Sequence, residues 1–166
     1  MIVFKTFTIP MMRALRLVWP WLIGLYGGIA LSATGAPGTD ALDLTAYRGK
    51  VVVVDFWASW CTPCRHSIPW LNDVQARYGE RGLVVVGVNT DPVRADADRF
   101  MRDVPVHFPL KFDPEGRLAT LYKLPGMPTS LIFDREGRLL RTHVGFREAE
   151  RAQREAEIVR YLESGK

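Results

Sequence analysis

The segment that most constrains the fold runs from Val51 to Cys64. It begins with four consecutive valines and ends in two cysteines separated by two residues. A run of apolar, largely β-branched residues is typical of a buried strand, and we predict a strand over 51–57. Helical spacing of apolar residues then follows from Ser59 to Tyr78. A helix that starts at the first cysteine brings positions i and i+3 onto one face, so the two thiols can close a disulfide.

Cys61 and Cys64 are the only cysteines in the chain. A thiol at a helix N-terminus faces unpaired N–H groups and the positive end of the helix dipole, which stabilise its thiolate. We therefore predict that Cys61 is the nucleophile. Cys64, one turn further into the helix, is predicted to be more buried and to resolve the mixed disulfide. Pro63 fits this position, because a proline in the first helical turn lacks an N–H that would have had no partner.

Asp55 is an unusual residue in so apolar a strand. If it is buried, its pKa should rise, and a carboxyl group tuned upward near Cys64 could accept the proton of that thiol. The residues alone leave a second interpretation open, in which the carboxylate reaches water or a backbone donor at the end of the strand.

Beyond this segment, strand and helix patterns alternate. Further strands are predicted at 83–88, 108–112, 129–134 and 138–144, and further helices at 92–103, 115–122 and 148–163. The last two strands are separated by a tight turn, which predicts an antiparallel hairpin. The last helix is predicted to keep its charges in solvent and to bury an apolar side made of Ala149, Ala152, Ala156, Val159 and Leu162. The alternation implies an α/β domain whose mixed sheet is covered on both faces and parallel in its first part.

The N-terminal 39 residues have the composition of a targeting segment. They carry three basic residues and no acidic one, and so hold most of the formal net charge of +4. The uncharged stretch 17–33 predicts an export signal, cleaved or retained as an anchor, and the positive-inside rule places the following domain outside the cytoplasm. We therefore expect a signal or anchor segment with a linker at 1–39 and one domain at 40–166. No Lys/Arg stripe with interleaved aromatic residues follows, which argues against a nucleic-acid partner.

Residues 55–64 (DFWASWCTPC) resemble the active-site segment of thioredoxin, with Thr62 at the position of a glycine. A Met-Pro-Thr tripeptide at 127–129 lies directly before a later strand, as the cis-proline of thioredoxins does. The interval from Gly87 to Pro125 has room for an additional strand and helix. Together with the exported N-terminus, this makes the chain similar to the TlpA-like branch of membrane-anchored or periplasmic thioredoxins. The resemblance covers residues 42–164.

This resemblance implies a three-layer thioredoxin fold, an α/β architecture with a mixed central sheet flanked by helices and a strand-helix insertion before the cis-proline strand. It implies an extracytoplasmic, periplasmic thiol-disulfide oxidoreductase that reduces protein disulfides, in apocytochrome c, in copper-site cysteine pairs or in many clients. The redox-active group is the Cys61–Cys64 disulfide, and no other cofactor is expected. In an oxidising compartment the dithiol needs an electron donor, which we expect to be a membrane protein. We expect a monomer.

The resemblance also assigns roles to residues. Asp55 matches the thioredoxin carboxyl group that takes the proton of the resolving thiol, although many TlpA-like proteins have asparagine there and a glutamate where this chain has Ser67. Pro128 is expected in the cis form, facing the disulfide, with the backbone of its neighbours free to pair with an extended substrate. Trp57 is expected in the core. The expected substrate-binding residues are Trp60, Thr62, Pro63, Met127, Pro128 and Thr129.

Four other chemistries compete with disulfide reduction. A zinc site lacks ligands, because the chain has no cysteine beyond the pair and only three histidines, so no metal is expected. A peroxidase of this fold would have threonine or serine where Ala58 stands. A disulfide-forming oxidant would share the motif and differ in its reduction potential. An exported copper chaperone would show a CxxxC spacing, which is absent, and would draw its soft ligands from Cys61, Cys64, Met127 and His143.

Overall fold

Residues 42–164 are the part of the chain that the structure, a computed structural model, describes. The predicted signal or anchor segment and linker, residues 1–39, lie outside this range. The strands are β1 (Val51–Trp57), β2 (Leu83–Asn89), β3 (Leu110–Phe112), β4 (Thr129–Phe133) and β5 (Leu139–Val144). The helices are α1 (Cys64–Tyr78), α2 (Arg94–Asp103), α3 (Arg117–Leu121) and α4 (Arg151–Ser164). Within these residues no helix has the length and hydropathy needed to cross a bilayer.

The strands form one sheet in the order β3-β2-β1-β4-β5. β1 pairs in parallel with β2, and β2 with β3, whereas β4 runs antiparallel to both β1 and β5. β1 therefore has a neighbour on each side, and all of its residues are buried. Burial on both faces explains why its sequence is a continuous apolar run rather than an alternating one. The predicted mixed sheet, parallel in its first part and ending in a hairpin, is confirmed.

Side chains of β1 alternate between two cores, one on each face of the sheet. Its odd-numbered valines and Trp57 pack against α1, α2 and α4, whose buried apolar residues are Ile68, Leu71, Val74, Ala97, Phe100, Ile158 and Leu162. Its even-numbered residues pack on the other face with Leu118 of α3 and Phe133 of β4. Helices thus cover both faces, and the predicted three-layer arrangement is confirmed. Each fully buried side chain of this size contributes about 1.5–3 kcal/mol.

The first helix starts later than its apolar spacing predicts. α1 begins at Cys64, with Pro63 as its N-cap, rather than at Ser59. Before it, the Cys61 N–H donates to the Ala58 carbonyl and the Cys64 N–H to the Cys61 carbonyl, each at 3.1 Å. These are tight turns that lead into the helix, so Cys61 lies in the approach to α1 and not in its first turn.

The third helix also starts later, at Arg117 instead of residue 115. Gly116 precedes it in the left-handed region, with φ of +65°, which a residue with a side chain adopts with difficulty. The Asp113 carboxylate then accepts hydrogen bonds from the N–H groups of Arg117 (2.9 Å) and Ala119 (3.1 Å). This carboxylate satisfies two N–H groups that the start of a helix leaves without partners.

The predicted apolar side of α4 is wrong at its alanines, while Val159 is half-buried and Leu162 is buried as predicted. Its three alanines are exposed, and the helix instead buries Arg154, Glu157, Ile158 and Leu162. Arg154 is bonded to Glu150 (2.7 Å), and a Glu157 oxygen lies 2.8 Å from His143 Nε2. Since both charges have partners, their burial is tolerated, and a sequence pattern that assigns all charges to solvent misplaces the helix face.

Candidate active site

The two cysteines lie directly after the carboxyl-terminal end of β1, where the chain turns into α1. Cys61 and Cys64 form a disulfide, with their Cα atoms 5.3 Å apart. Cys61 is 3% exposed and Cys64 is completely buried, as the sequence predicted. This order of burial fits an attacking Cys61 and a resolving Cys64, because a partner molecule reaches the outer sulfur first.

The residues around the disulfide form an exposed rim. Trp60 is 68% exposed, the largest exposed fraction among the large apolar side chains of residues 42–164. Thr62 and Pro63, which separate the cysteines, are exposed as well. Trp57, by contrast, is completely buried and packs on Phe100, with ring centroids 5.0 Å apart, which confirms the prediction that it belongs to the core. An exposed aromatic residue beside a buried disulfide offers apolar contact area to a docking protein.

Asp55 is completely buried on the face of the sheet that α1 covers, between the core residues Val53 and Trp57 of β1. Its Oδ1 accepts a hydrogen bond of 2.6 Å from the Ser130 hydroxyl, and its Oδ2 has no partner among the described residues. Burial raises the pKa of Asp55 to about 7, against the opposing effects of the Ser130 hydrogen bond and the charge of Arg154. The alternative of a carboxylate that reaches water or a backbone donor is therefore wrong.

The segment before β4 lies at the edge of the sheet where the cysteines are found. The Met127–Pro128 peptide bond is cis, as predicted. Thr129 pairs with Phe56 near the end of β1, so Pro128 falls beside the point where β1 leads to the cysteines. Met127 is partly buried against the core that contains both cysteines. Thr129 is completely buried and its hydroxyl donates to the Gly126 carbonyl (2.7 Å), so its side chain stabilises the turn and is not part of the surface.

A second buried carboxylate, which the sequence analysis missed, holds the loop in front of Cys61. Asp91 is 4% exposed. Its two oxygens accept the Ser59 N–H at 3.1 and 2.9 Å, and it also accepts the Ser59 hydroxyl (2.8 Å) and the Asn89 side-chain amide (2.7 Å). The loop that follows β1 is thereby tied to the end of β2. The one available signal was an acidic residue just beyond a strand predicted to lie parallel to β1.

Three of the four side chains proposed as copper ligands have other partners in this structure. Across residues 42–164, no group of three or more His, Cys, Asp and Glu side chains is placed to hold a metal ion. Of the proposed soft ligands, Cys61 and Cys64 are bonded to each other. His143 is engaged by Glu157 at 2.8 Å.

The sequence profile of the AhpC/TSA family matches residues 30–142, more than half of the chain. The chain belongs to the AhpC/TSA family. In this chain, Ser130 is another site residue that the sequence analysis missed. Its importance depends on Asp55, which lies 75 residues away in the chain and becomes its neighbour only when β4 pairs with β1.

Proteins similar to this AhpC/TSA family member are thiol-disulfide exchange proteins. The thiol-disulfide oxidoreductase ResA of Oceanobacillus iheyensis is 34% identical over 100 residues, which are 60% of this chain. The match spans only 52% of that relative's length. The crystal structure of a thiol:disulfide interchange protein DsbE from Chlorobium tepidum is 47% identical, with a TM-score of 0.71 over 73% of this chain and 86% of that one. The exposed lipoprotein thioredoxin of Streptococcus pneumoniae is 31% identical, with a TM-score of 0.61 over 73% and 89% of the two chains.

These relatives confirm the thioredoxin fold and the predicted resemblance to thioredoxin-like thiol-disulfide oxidoreductases. This chain has the feature that such chemistry requires, a pair of cysteines able to form a disulfide.

Proposed function

We propose that this chain is a thiol-disulfide oxidoreductase that reduces the disulfides of client proteins outside the cytoplasm. The observation that carries the proposal is the Cys61–Cys64 disulfide, which lies directly after the strand that holds the buried Asp55. A dithiol pair can pass two electrons to another disulfide, and a carboxyl group of raised pKa can take up the proton of the resolving thiol. The names of the relatives ResA and DsbE support the same activity.

The reaction starts from the reduced pair. The Cys61 thiolate attacks one sulfur of the client disulfide, forms a mixed disulfide and releases the first client thiolate. Asp55 accepts the proton of the Cys64 thiol, and the Cys64 thiolate then attacks the Cys61 sulfur. The Cys61–Cys64 disulfide forms and the second client thiolate leaves. Two electrons have then passed to the client, whose two thiolates take up the proton that Asp55 releases and one further proton from solvent.

A reductant of this type has a low reduction potential. A strong oxidant owes its high potential to a stabilised reduced form. We therefore expect a reduction potential near that of thioredoxin, about −270 mV, and not near −120 mV.

The proposed location and partners rest on the predicted targeting segment. The predicted export signal places the domain in an oxidising compartment, and one relative of similar fold is an exposed lipoprotein. Such a compartment does not keep a dithiol reduced, so we propose a membrane protein as the electron donor. The clients are proteins with accessible disulfides, which would contact Trp60, Thr62 and Pro63 and pair with the backbone at Met127. Apocytochrome c and copper-site cysteine pairs are the client classes to test first.

Two measurements test this function, the reduction potential of the cysteine pair and its activity in reducing a protein disulfide. The potential of the Cys61–Cys64 couple is measured against glutathione, and the reduced protein is assayed for reduction of insulin disulfides. We expect a reduction potential of about −270 mV and rapid reduction of insulin. In the Cys64→Ser variant the mixed disulfide with insulin should accumulate, because the resolving thiol is missing, whereas the matched Cys61→Ser variant should form none.

A potential near about −120 mV together with oxidation of reduced insulin would contradict the proposal and assign the chain to disulfide formation. Stoichiometric binding of Cu(I) by the reduced protein, without reduction of insulin, would assign it to copper transfer.

A further inference from the structure

Asp55 is buried, so a proton that it accepts needs a route back to solvent. The inference below rests on the proposed function in one respect, that Asp55 accepts the Cys64 proton. The side chain is completely buried, one carboxyl oxygen bonds to Ser130, and the other has no partner within residues 42–164. A buried acid that takes up a proton during disulfide exchange must lose it again before the next cycle.

The first step outward is the Ser130 hydroxyl, 2.6 Å from Asp55 Oδ1. Ser130 lies directly opposite His143 in the antiparallel register of β4 and β5. Residues opposite each other in this way project to the same face of a sheet, with Cβ atoms about 4.5–5.5 Å apart. Both residues line a small cavity of about 10 Å³ between the sheet and α4, and Trp70 and Arg154 line it too. The apolar side chains of Val53, Ile132 and Ile158 complete its lining, and its volume is at the lower limit for one water molecule, which would have Ser130, His143 and Arg154 as polar neighbours.

The outer end is a histidine paired with a carboxylate. His143 Nε2 lies 2.8 Å from Glu157 Oε2, and the exposed fraction of the His143 side chain is 18%. Glu157 also accepts the Tyr161 hydroxyl (3.0 Å) and lies 3.1 Å from Arg141, whose side chain is 55% exposed. The cluster therefore joins the buried cavity to a residue in contact with solvent.

The charges around this cluster favour a neutral imidazole. Burial lowers the pKa of His143, and the charge of Arg154 adds to this effect, while Glu157 opposes it. Burial works against ionisation of Glu157, but hydrogen bonds from Tyr161 and His143 outweigh it and lower the pKa of this carboxyl group. Glu157 as a carboxylate accepts the Nε2 proton of a neutral His143, so Nδ1 is left as the basic nitrogen.

We propose that Ser130, His143 and Glu157 form a proton path that connects Asp55 with solvent on the α4 side of the sheet. Once Asp55 is protonated, its hydrogen bond with Ser130 reverses: Asp55 passes its proton to the Ser130 oxygen while the Ser130 hydroxyl proton moves, through one water in the cavity, to His143 Nδ1. His143 then releases its Nε2 proton to Glu157, from which it reaches solvent beside Arg141, and a tautomeric shift of the neutral imidazole returns its remaining proton to Nε2. One proton moves outward and no electrons move. The Arg154 guanidinium, held by Glu150, keeps the imidazole neutral between transfers.

The test uses oxidation of the reduced full-length chain by oxidised glutathione, followed by tryptophan fluorescence in a stopped-flow instrument. This reaction resolves two steps, attack by Cys61 and resolution by Cys64. It runs whether the protein is a reductant or an oxidant in the cell. Failure to reduce insulin would thus contradict the proposed function alone, while the proton path is judged from the second step.

The reaction is followed at about pH 6, below the Asp55 pKa of about 7, so most molecules start with a proton on Asp55 and must release it before this group can accept the Cys64 proton. We then expect His143→Gln to slow the resolving step by about tenfold or more, since positioned proton transfer contributes about 10²–10⁴-fold. The preceding attack by Cys61 should be unchanged. Asp55→Asn should slow the resolving step by at least as much. Because the two residues act in series, the double variant should be no slower than Asp55→Asn alone. The matched control is His66→Gln, which removes an imidazole that is 64% exposed on α1 and should leave both steps unchanged.

Two further variants separate proton transfer from support of the fold. Added imidazole should restore the resolving step of His143→Ala but not that of Asp55→Asn, and a purely structural role would show no such rescue. Ser130→Ala should be slow, while Ser130→Thr, which keeps the hydroxyl, should recover the rate. A wild-type resolving rate in His143→Gln, or a double variant slower than Asp55→Asn by the full His143→Gln factor, would overturn the proposal.

Discussion

Asp55 contributes a pH-dependent part to the stability of this domain. Its pKa rises from 3.8 to about 7 on folding because the side chain is completely buried. Between these two values the folded protein holds a proton that the unfolded chain has lost, so the free energy of unfolding falls as pH rises through this window. Stability from this group is fully present below pH 3.8 and is lost above about pH 7.

The Asp55→Asn variant should therefore be more stable than the wild type above pH 7. A shift of about three pKa units corresponds to about 4 kcal/mol, and we expect a gain of about 3 kcal/mol because the new amide group lacks a second partner. Near pH 4 the gain should vanish. Urea unfolding of the oxidised protein at both pH values checks this, with Asp103→Asn as an exposed control. Lower stability of Asp55→Asn at high pH would contradict the assignment of a buried, raised pKa.

Local sequence was enough to identify the reacting residues. The two cysteines, Asp55 and the cis Pro128 all stand in short patterns that can be recognised without tertiary contacts. Asp91 and Ser130 could not be found in this way, because their partners Ser59 and Asp55 are 32 and 75 residues away. The proton path has the same property, since pairing of β4 with β5 and packing of α4 bring its members together.

At the scale of elements, α4 shows where periodicity fails. Alanine spacing indicated one buried side, but the buried side contains Arg154 and Glu157 beside Ile158. A hydrophobicity pattern treats each charge as a solvent marker, whereas a charge with hydrogen-bonded partners can be buried at modest free-energy cost. The buried strands were predicted correctly, because a continuous apolar run requires no choice between a buried and an exposed face.

The orientation of α4 predicts opposite results at two neighbouring positions. Ile158→Ala should lower the free energy of unfolding by about 2–5 kcal/mol, because Ile158 is 1% exposed and its loss leaves a cavity. Ala156→Lys should change it by less than about 0.5 kcal/mol, since Ala156 is exposed. Urea unfolding at constant pH measures both. The reverse order, with Ala156→Lys the more destabilising, would mean that the alanine side is the buried one after all.

At the scale of the whole molecule, the sheet explains why the chemistry is concentrated at one edge. β1 lies between β2 and β4, so the loop after it meets Asp91 after β2 and Pro128 before β4 at a single edge. The order of strands and helices was predictable because each element has its own local pattern. The sheet order and the mutual contacts were accessible only through the family resemblance, since pairing between distant strands leaves no mark on local periodicity.

The redox state of the two cysteines should change the free energy of unfolding of the entire domain. The disulfide joins cysteines only three positions apart, and the chain-entropy model gives about 2 kcal/mol of stabilisation for so short a loop. A strong oxidant reverses the order, because its reduced form is the more stable one. For a reductant we expect the oxidised protein to exceed the dithiothreitol-reduced protein by about 2 kcal/mol in urea unfolding. The double variant Cys61→Ser/Cys64→Ser should behave alike with and without dithiothreitol. A reduced form more stable than the oxidised form would point to disulfide formation, since about 30 mV of potential corresponds to 1.4 kcal/mol of this difference.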